Sequence, residues 1–130
     1  MFLKIILITF ILFFLFFNSS CNEAKKFRKQ ADELYIKGKY KEALEFYDRS
    51  LEIYPKDGDV WFNKGESLSG LGRYEEALVC YDKALEFKPK DGNIWYGKGE
   101  ALSNMGNYYE AISCYDKNIE TAPLSGSAWY

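Results

Sequence analysis

The chain carries apolar residues in two rhythms. From Ile5 to Phe17 the run is continuous, broken only by Thr9. Beyond residue 24 apolar positions return at helical intervals instead. Trp61, Gly65, Leu68 and Leu71 are separated by steps of four, three and three, which places them on one helical face. Tyr74, Ala77, Leu78, Tyr81, Ala84 and Leu85 mark the inner face of a second helix. Gly72 lies between the two, where glycine accepts a left-handed cap at little steric cost. Pro89 stops the second helix because it lacks an amide proton and clashes with the preceding turn. Lys88 and Lys90 near that end suit the negative pole of the helix dipole. Asp57 and Asp91 precede Gly58 and Gly92, and each opens the next hairpin as a turn or cap residue. No strand-like alternation occurs after Phe17. The pattern predicts an all-α fold of helix-turn-helix units.

Those units repeat. Gly58 to Asp91 aligns without a gap on Gly92 to Ser125, and 17 of 34 positions are identical. A more diverged copy, Ala24 to Asp57, keeps Gly38, Tyr40, Glu42, Ala43, Tyr47, Asp48, Leu51, Glu52 and Pro55 at the same spacing. Small residues share equivalent places: Ala31, Gly65 and Gly99 at one, Ala43, Ala77 and Ala111 at another. A small side chain at a helix crossing brings two helices to the short end of the usual separation, and neighbouring rings fill the space alongside.

Trp61, Gly65, Tyr74, Ala77, Tyr81, Ala84 and Pro89, with Trp95, Gly99, Tyr108, Ala111, Tyr115 and Pro123, resemble the signature of the tetratricopeptide repeat. Phe27 stands where that signature has Trp, and Ser50 and Asn118 where it has Ala. The resemblance implies a repeat solenoid, a right-handed superhelix of three hairpins at 24–57, 58–91 and 92–125. It also implies a concave groove, lined by the first helix of each hairpin, that holds a peptide or a helix. At the matching places lie Arg28, Asp32, Tyr35, Phe62, Asn63, Glu66, Ser69, Asn93, Tyr96, Glu100 and Ser103. Phe62 and Tyr96, outward-facing on neighbouring repeats, are the expected apolar anchors. Family members that capture chaperone tails clamp a carboxylate with Lys, Asn and Arg. Here Arg28, Asp32, Asn63, Asn93 and Gly97 hold those places, and only Arg28 and Asn63 fit. The expected partner is another protein segment.

The N-terminal run reads as an address. Lys4, the apolar stretch, then Asn18, Ser19, Ser20 and Cys21 have the order of an export signal over residues 1–20. Ile5 to Phe17 covers roughly 20 Å at 1.5 Å per residue, short of the ~30 Å hydrocarbon core. The Ser-Ser-Cys ending resembles the lipobox of bacterial lipoproteins, although Asn18 departs from the usual aliphatic residue. That resemblance implies cleavage before Cys21, lipid on Cys21 and attachment to a membrane of the bacterial cell envelope. Lys25, Lys26, Arg28 and Lys29 follow, and basic residues there favour the cytoplasmic side. They leave an uncleaved signal anchor as the alternative. Held near an anionic leaflet, the same cluster would add electrostatic attraction.

Composition narrows the function. A net charge of -2 lacks the basic excess of a nucleic-acid binder. The absence of His removes the commonest general base and metal ligand, so neither catalysis nor a cofactor is expected. Cys80 and Cys114 lie one repeat apart, with Phe46 at the equivalent place, and read as apolar packing positions. Gly92, Gly97 and Lys98 mimic a phosphate-binding loop, but Gly99 replaces the required Ser or Thr and the stretch is helical. Gly126 to Tyr130 read as the start of an incomplete fourth repeat, since Trp129 follows Trp95 by 34 residues. The expectation is a truncated repeat protein or an open last helix that pairs with another molecule.

Overall fold

The computed structural model describes residues 1–122. Six helices follow one another: α1 (Phe2–Ile36), α2 (Tyr40–Ile53), α3 (Gly58–Gly70), α4 (Tyr74–Phe87), α5 (Gly92–Asn104) and α6 (Tyr108–Thr121). No strand occurs among the described residues. The helices form two compact units, one ending at Lys56 and one opening at Asp57. Trp129 and the expected fourth repeat lie outside the described residues.

The first unit shows one feature on which the sequence pattern made no statement. The apolar run and the first repeat helix are one unbroken helix of 35 residues. Neither Gly nor Pro occurs between Met1 and Lys37, so nothing in Asn18-Ser19-Ser20 stops the hydrogen-bond ladder. Its apolar part averages a hydropathy of 2.3 and is wholly exposed, as suits a membrane-crossing helix and an export signal alike. The later part of α1 packs on α2. The Phe27 and Phe46 rings lie 6.3 Å apart, and the Arg49 guanidinium covers both at 5.7 and 5.6 Å. Ser50, buried, donates its hydroxyl to the Ala24 carbonyl at 2.9 Å.

In the second unit α3 packs on α4, α5 on α6, and α4 against α5, with a smaller contact between α3 and α5. Each hairpin turns at a glycine of positive φ: 75° at Gly72 and 83° at Gly106. L side chains avoid that conformation. The next amide then reaches back five residues, Arg73 to Leu68 and Asn107 to Leu102, both at 2.9 Å, and pairs an otherwise orphan carbonyl. At the opposite ends, the Asp57 carboxylate accepts the Asp59 and Val60 amides at 3.2 Å. Asp91 accepts that of Asn93 at 3.1 Å. Lys88 ties the end of α4 to the start of α3 by pairing with Asp59, and with Asp91 at 3.3 Å.

Ring over backbone holds each hairpin together. Tyr81 is fully buried, and a Cβ added at Gly65 would stand 2.7 Å from its ring. The relation recurs one repeat later, where a Cβ at Gly99 would stand 2.6 Å from the Tyr115 ring. Burial goes further than one face per helix. Val60 and Ser67 on α3 are buried as well, and so are Ile94 and Ala101 on α5, which meets both α4 and α6. Ser67 satisfies its hydroxyl on the Asn63 carbonyl at 3.0 Å.

The Gly65 contact makes a direct prediction. Gly65→Val should destabilise the second unit by about 1–3 kcal/mol, the usual cost of overpacking a close contact. Gly72→Ala should lose about 1–2 kcal/mol through its backbone alone. Urea unfolding of the two variants in detergent, followed by far-ultraviolet circular dichroism, checks both; an unchanged midpoint for Gly65→Val would contradict the packing scheme.

Candidate functional site

The first helix of each hairpin presents residues one turn apart to the same side. On α1, Arg28 and Asp32 pair at 3.8 Å, and both stay partly exposed. Asp32 also accepts the Tyr47 hydroxyl at 2.8 Å, and the Tyr35 ring lies 5.6 Å from that of Tyr40. These three sequence-predicted residues therefore share one stretch of the first unit and stay tied to α2.

The second unit brings together most of the others. Phe62, Asn63, Glu66 and Ser69 lie on α3, and Asn93, Tyr96, Glu100 and Ser103 on α5. The two expected anchors pack differently from a stacked pair. The Phe62 ring sits 6.0 Å from Tyr81 and is half-buried, whereas the Tyr96 ring sits 5.7 Å from Tyr115 and remains 48% exposed. Each ring thus leans on the tyrosine of its own second helix. Tyr96 offers the larger free surface. Asn93, exposed in the first turn of α5, is engaged through its backbone amide by Asp91.

Glu66 is the centre of this face. Tyr81 donates its hydroxyl to Glu66 Oε1 at 2.6 Å, and Ser69 Oγ lies 3.1 Å from the same hydroxyl. Gly97 closes the arrangement from α5: a Cβ there would stand 2.8 Å from Glu66 Oε1 and 3.3 Å from the Tyr81 ring. The missing side chain lets the α5 backbone settle onto the Glu66–Tyr81 pair. Burial raises the Glu66 pKa, the Tyr81 hydrogen bond opposes that rise, and the charge of Glu100 adds to it. Burial, with the hydrogen bond to Glu66, raises the Tyr81 pKa far above the ordinary phenol value. The face therefore carries two carboxylates, a half-exposed phenol ring and several neutral hydrogen-bonding groups. It can hold a polar or basic segment by hydrogen bonds and one apolar contact.

Sequence reasoning named Asp32 and Glu66 without the tyrosines that bond them, Tyr47 and Tyr81. The signal was present: Asp32 and Tyr47, Glu66 and Tyr81, Glu100 and Tyr115 are each fifteen positions apart. Gly97 was noticed only as part of a phosphate-loop mimic and as a misfit at a carboxylate-clamp place. In the structure it lies within α5, and Lys98 beside it pairs with Asp82 at 2.6 Å. Cys80 and Cys114 are buried free thiols, and Cys21 is an exposed one.

Comparison with known proteins fits this geometry. Two profiles described as tetratricopeptide repeat match the chain, one at residues 58–91 and 92–123, the other at 24–57. A search of curated proteins finds no match. Among solved structures, MamA MSR-1 is 26% identical with a TM-score of 0.72, over 75% of this chain and 56% of that one. The Sgt2 TPR domain from Aspergillus fumigatus is also 26% identical at a TM-score of 0.72, over 76% of this chain and 66% of that one. The second TPR of Spaghetti (RPAP3) bound to the HSP90 peptide SRMEEVD is 18% identical at a TM-score of 0.76, over 80% of this chain and 96% of that one. The chain thus spans little more than half of the MamA MSR-1 length.

Glu66 sets a pH dependence with a definite sign. Its folded pKa lies above the ordinary carboxylate value, so the native state holds this proton to higher pH than the unfolded chain does. The stabilisation from that proton is full below the unfolded pKa and is lost as pH rises through the folded one. Glu66→Gln should therefore gain stability relative to the native chain between pH 4 and pH 7, as urea midpoints at the two values would report. Tyr81→Phe, which leaves Glu66 without its donor, should cost about 1–3 kcal/mol at pH 7.

Proposed function

The chain belongs to the tetratricopeptide repeat family, and on that premise we propose that it is a membrane-tethered scaffold that binds a protein segment on the first-helix faces of its repeats. The observation that carries this reading is the half-exposed Tyr96 one turn before Glu100 on α5, the helix whose Gly97 rests on Glu66. An aromatic ring flanked by hydrogen-bonding groups is the usual composition of a binding hot spot. In the second unit the face comprises Phe62, Asn63, Glu66, Asn93, Tyr96 and Glu100, and in the first unit Arg28, Asp32 and Tyr35. The acids favour a segment with Lys or Arg opposite Glu66 and Glu100 and an apolar residue on Tyr96. Acidic tails such as the SRMEEVD peptide held by the Spaghetti repeat are disfavoured by the same charges. The tether is α1, either through lipid on Cys21 after removal of residues 1–20 or as an uncleaved anchor; its exposed apolar part and Cys21 support both.

A second reading rests on the outer face of α6. Ile112 and Ile119 are 56% and 70% exposed, whereas of their counterparts one repeat earlier Leu78 is partly buried and Leu85 buried. Such an uncovered apolar face favours self-association.

The two readings make separate predictions. On an array of 15-residue peptides of graded charge, basic peptides with an aromatic or aliphatic residue should bind, and acidic ones should not. Tyr96→Ala should weaken that binding by about 2 kcal/mol, roughly 30-fold, without loss of helicity. Equal binding by Tyr96→Ala would remove the site. Self-association through α6 predicts a dimer by light scattering that Ile112→Asp and Ile119→Asp convert to a monomer; a native chain that stays monomeric across concentrations refutes it.

A further inference from the structure

Two ring contacts and two hydrogen bonds fix the register between α1 and α2. Tyr35 meets Tyr40 at 5.6 Å, Asp32 takes the Tyr47 hydroxyl at 2.8 Å, and Phe27 faces Phe46 at 6.3 Å. The Ala24 carbonyl accepts the Ser50 hydroxyl at 2.9 Å. Carried on by one turn, this antiparallel register sets the end of α2, Ile53 and Tyr54, beside Ser20 and Cys21. There they line one open apolar groove of about 620 Å³ together with Phe16 and Phe17. The second helix of the hairpin thus ends where the exposed apolar part of α1 begins.

The order of residues along α1 matches the layers of a bilayer. The apolar run Ile5 to Phe17 covers roughly 20 Å at 1.5 Å per residue, and Asn18 to Cys21 carry the helix on into the interfacial layer. Lys25, Lys26 and Lys29 follow within the next two turns and are exposed. On the α2 side Lys56 comes two residues after Tyr54, and Tyr54 is itself 51% exposed. Apolar, then aromatic, then basic is the sequence of acyl chain, interface and anionic headgroup.

We propose that Ile53 and Tyr54 form a second membrane contact, seated in the interfacial layer of an anionic bilayer beside Cys21. The proposal rests on the tether reading above and adds which end of the first hairpin meets lipid. The occupant is a bilayer because the groove is continuous with the uncovered apolar surface of α1 and bordered by lysines on α1 and in the turn after α2. Both forms of tether keep it in place. In the intact helix Phe16 and Phe17 carry the apolar surface up to the groove; after cleavage, acyl chains on Cys21 start from the same point. The Tyr54 ring lies in the interface with its hydroxyl toward the headgroups, and the opposite end of α2, at Lys39 and Tyr40, stands roughly 20 Å away in water.

Photo-crosslinking of the full chain, isolated with its native tether, tests this. Benzoylphenylalanine is placed at Tyr54 in one preparation and at Lys39 in another, and each is reconstituted into vesicles of phosphatidylglycerol and phosphatidylethanolamine. The expected result is flotation of both with the vesicles and several-fold more lipid adduct from position 54 than from position 39, by mass spectrometry. Flotation with equal or no lipid adduct at position 54 overturns the proposal while leaving the tether intact. Protein–protein adducts at position 54 overturn it in favour of a second copy of the chain as occupant. A chain that does not float removes the tether reading and this one with it.

Discussion

Everything in the two hairpins of the second unit depends on a phenol ring lying against backbone. Tyr81 against Gly65 and Tyr115 against Gly99 bring two helices so close that no Cβ fits between them. Close approach gives dense dispersion contact and excludes water from the ring. It also fixes where the phenol oxygen emerges, and that position decides what the exposed side of the first helix looks like. For Tyr81 the oxygen meets Glu66, and the adjoining α5 backbone rests on the pair because residue 97 is glycine. Packing and candidate recognition surface are thus two ends of one side chain.

That coupling explains the unequal quality of the two aromatic candidates. Phe62 leans on the buried Tyr81 and is half-covered, so its truncation would disturb the hairpin as well as the surface. Tyr96 leans on Tyr115, a ring that is itself only partly covered, and retains about half of its surface for contact. The charge on the face is similarly graded. Glu66 is held in place and partly desolvated, whereas Glu100 is exposed and acts on it through space.

Much of this was legible in the sequence. The step of 34 residues, the glycines that turn each hairpin and the aspartates that cap α3 and α5 all follow from local chemistry, and they appear where the pattern puts them. What the pattern did not yield depends on the third dimension. Val60 and Ile94 lie off the periodic stripe, and the burial of Ile94 became evident only once α5 was seen to pack on two neighbours. The Glu66–Tyr81 bond joins different helices, and a scan for helical periodicity within each one does not register a fifteen-residue offset. Asn18-Ser19-Ser20 read as the polar end of an export signal, with no statement of whether the helix stops there. Polarity changes what a helix touches, whereas ending one takes a glycine, a proline or a competing cap, and none stands there.

That unbroken junction makes α1 a stiff stalk as long as it stays whole. A flexible linker would let the first hairpin swivel freely, but a continuous helix locks its azimuth to that of the apolar end. Each residue inserted between Phe17 and Ala24 would advance the hairpin by about 1.5 Å and turn it by about 100°. The number of residues in that short stretch, rather than their identity, then selects which side of the hairpin looks toward its surroundings.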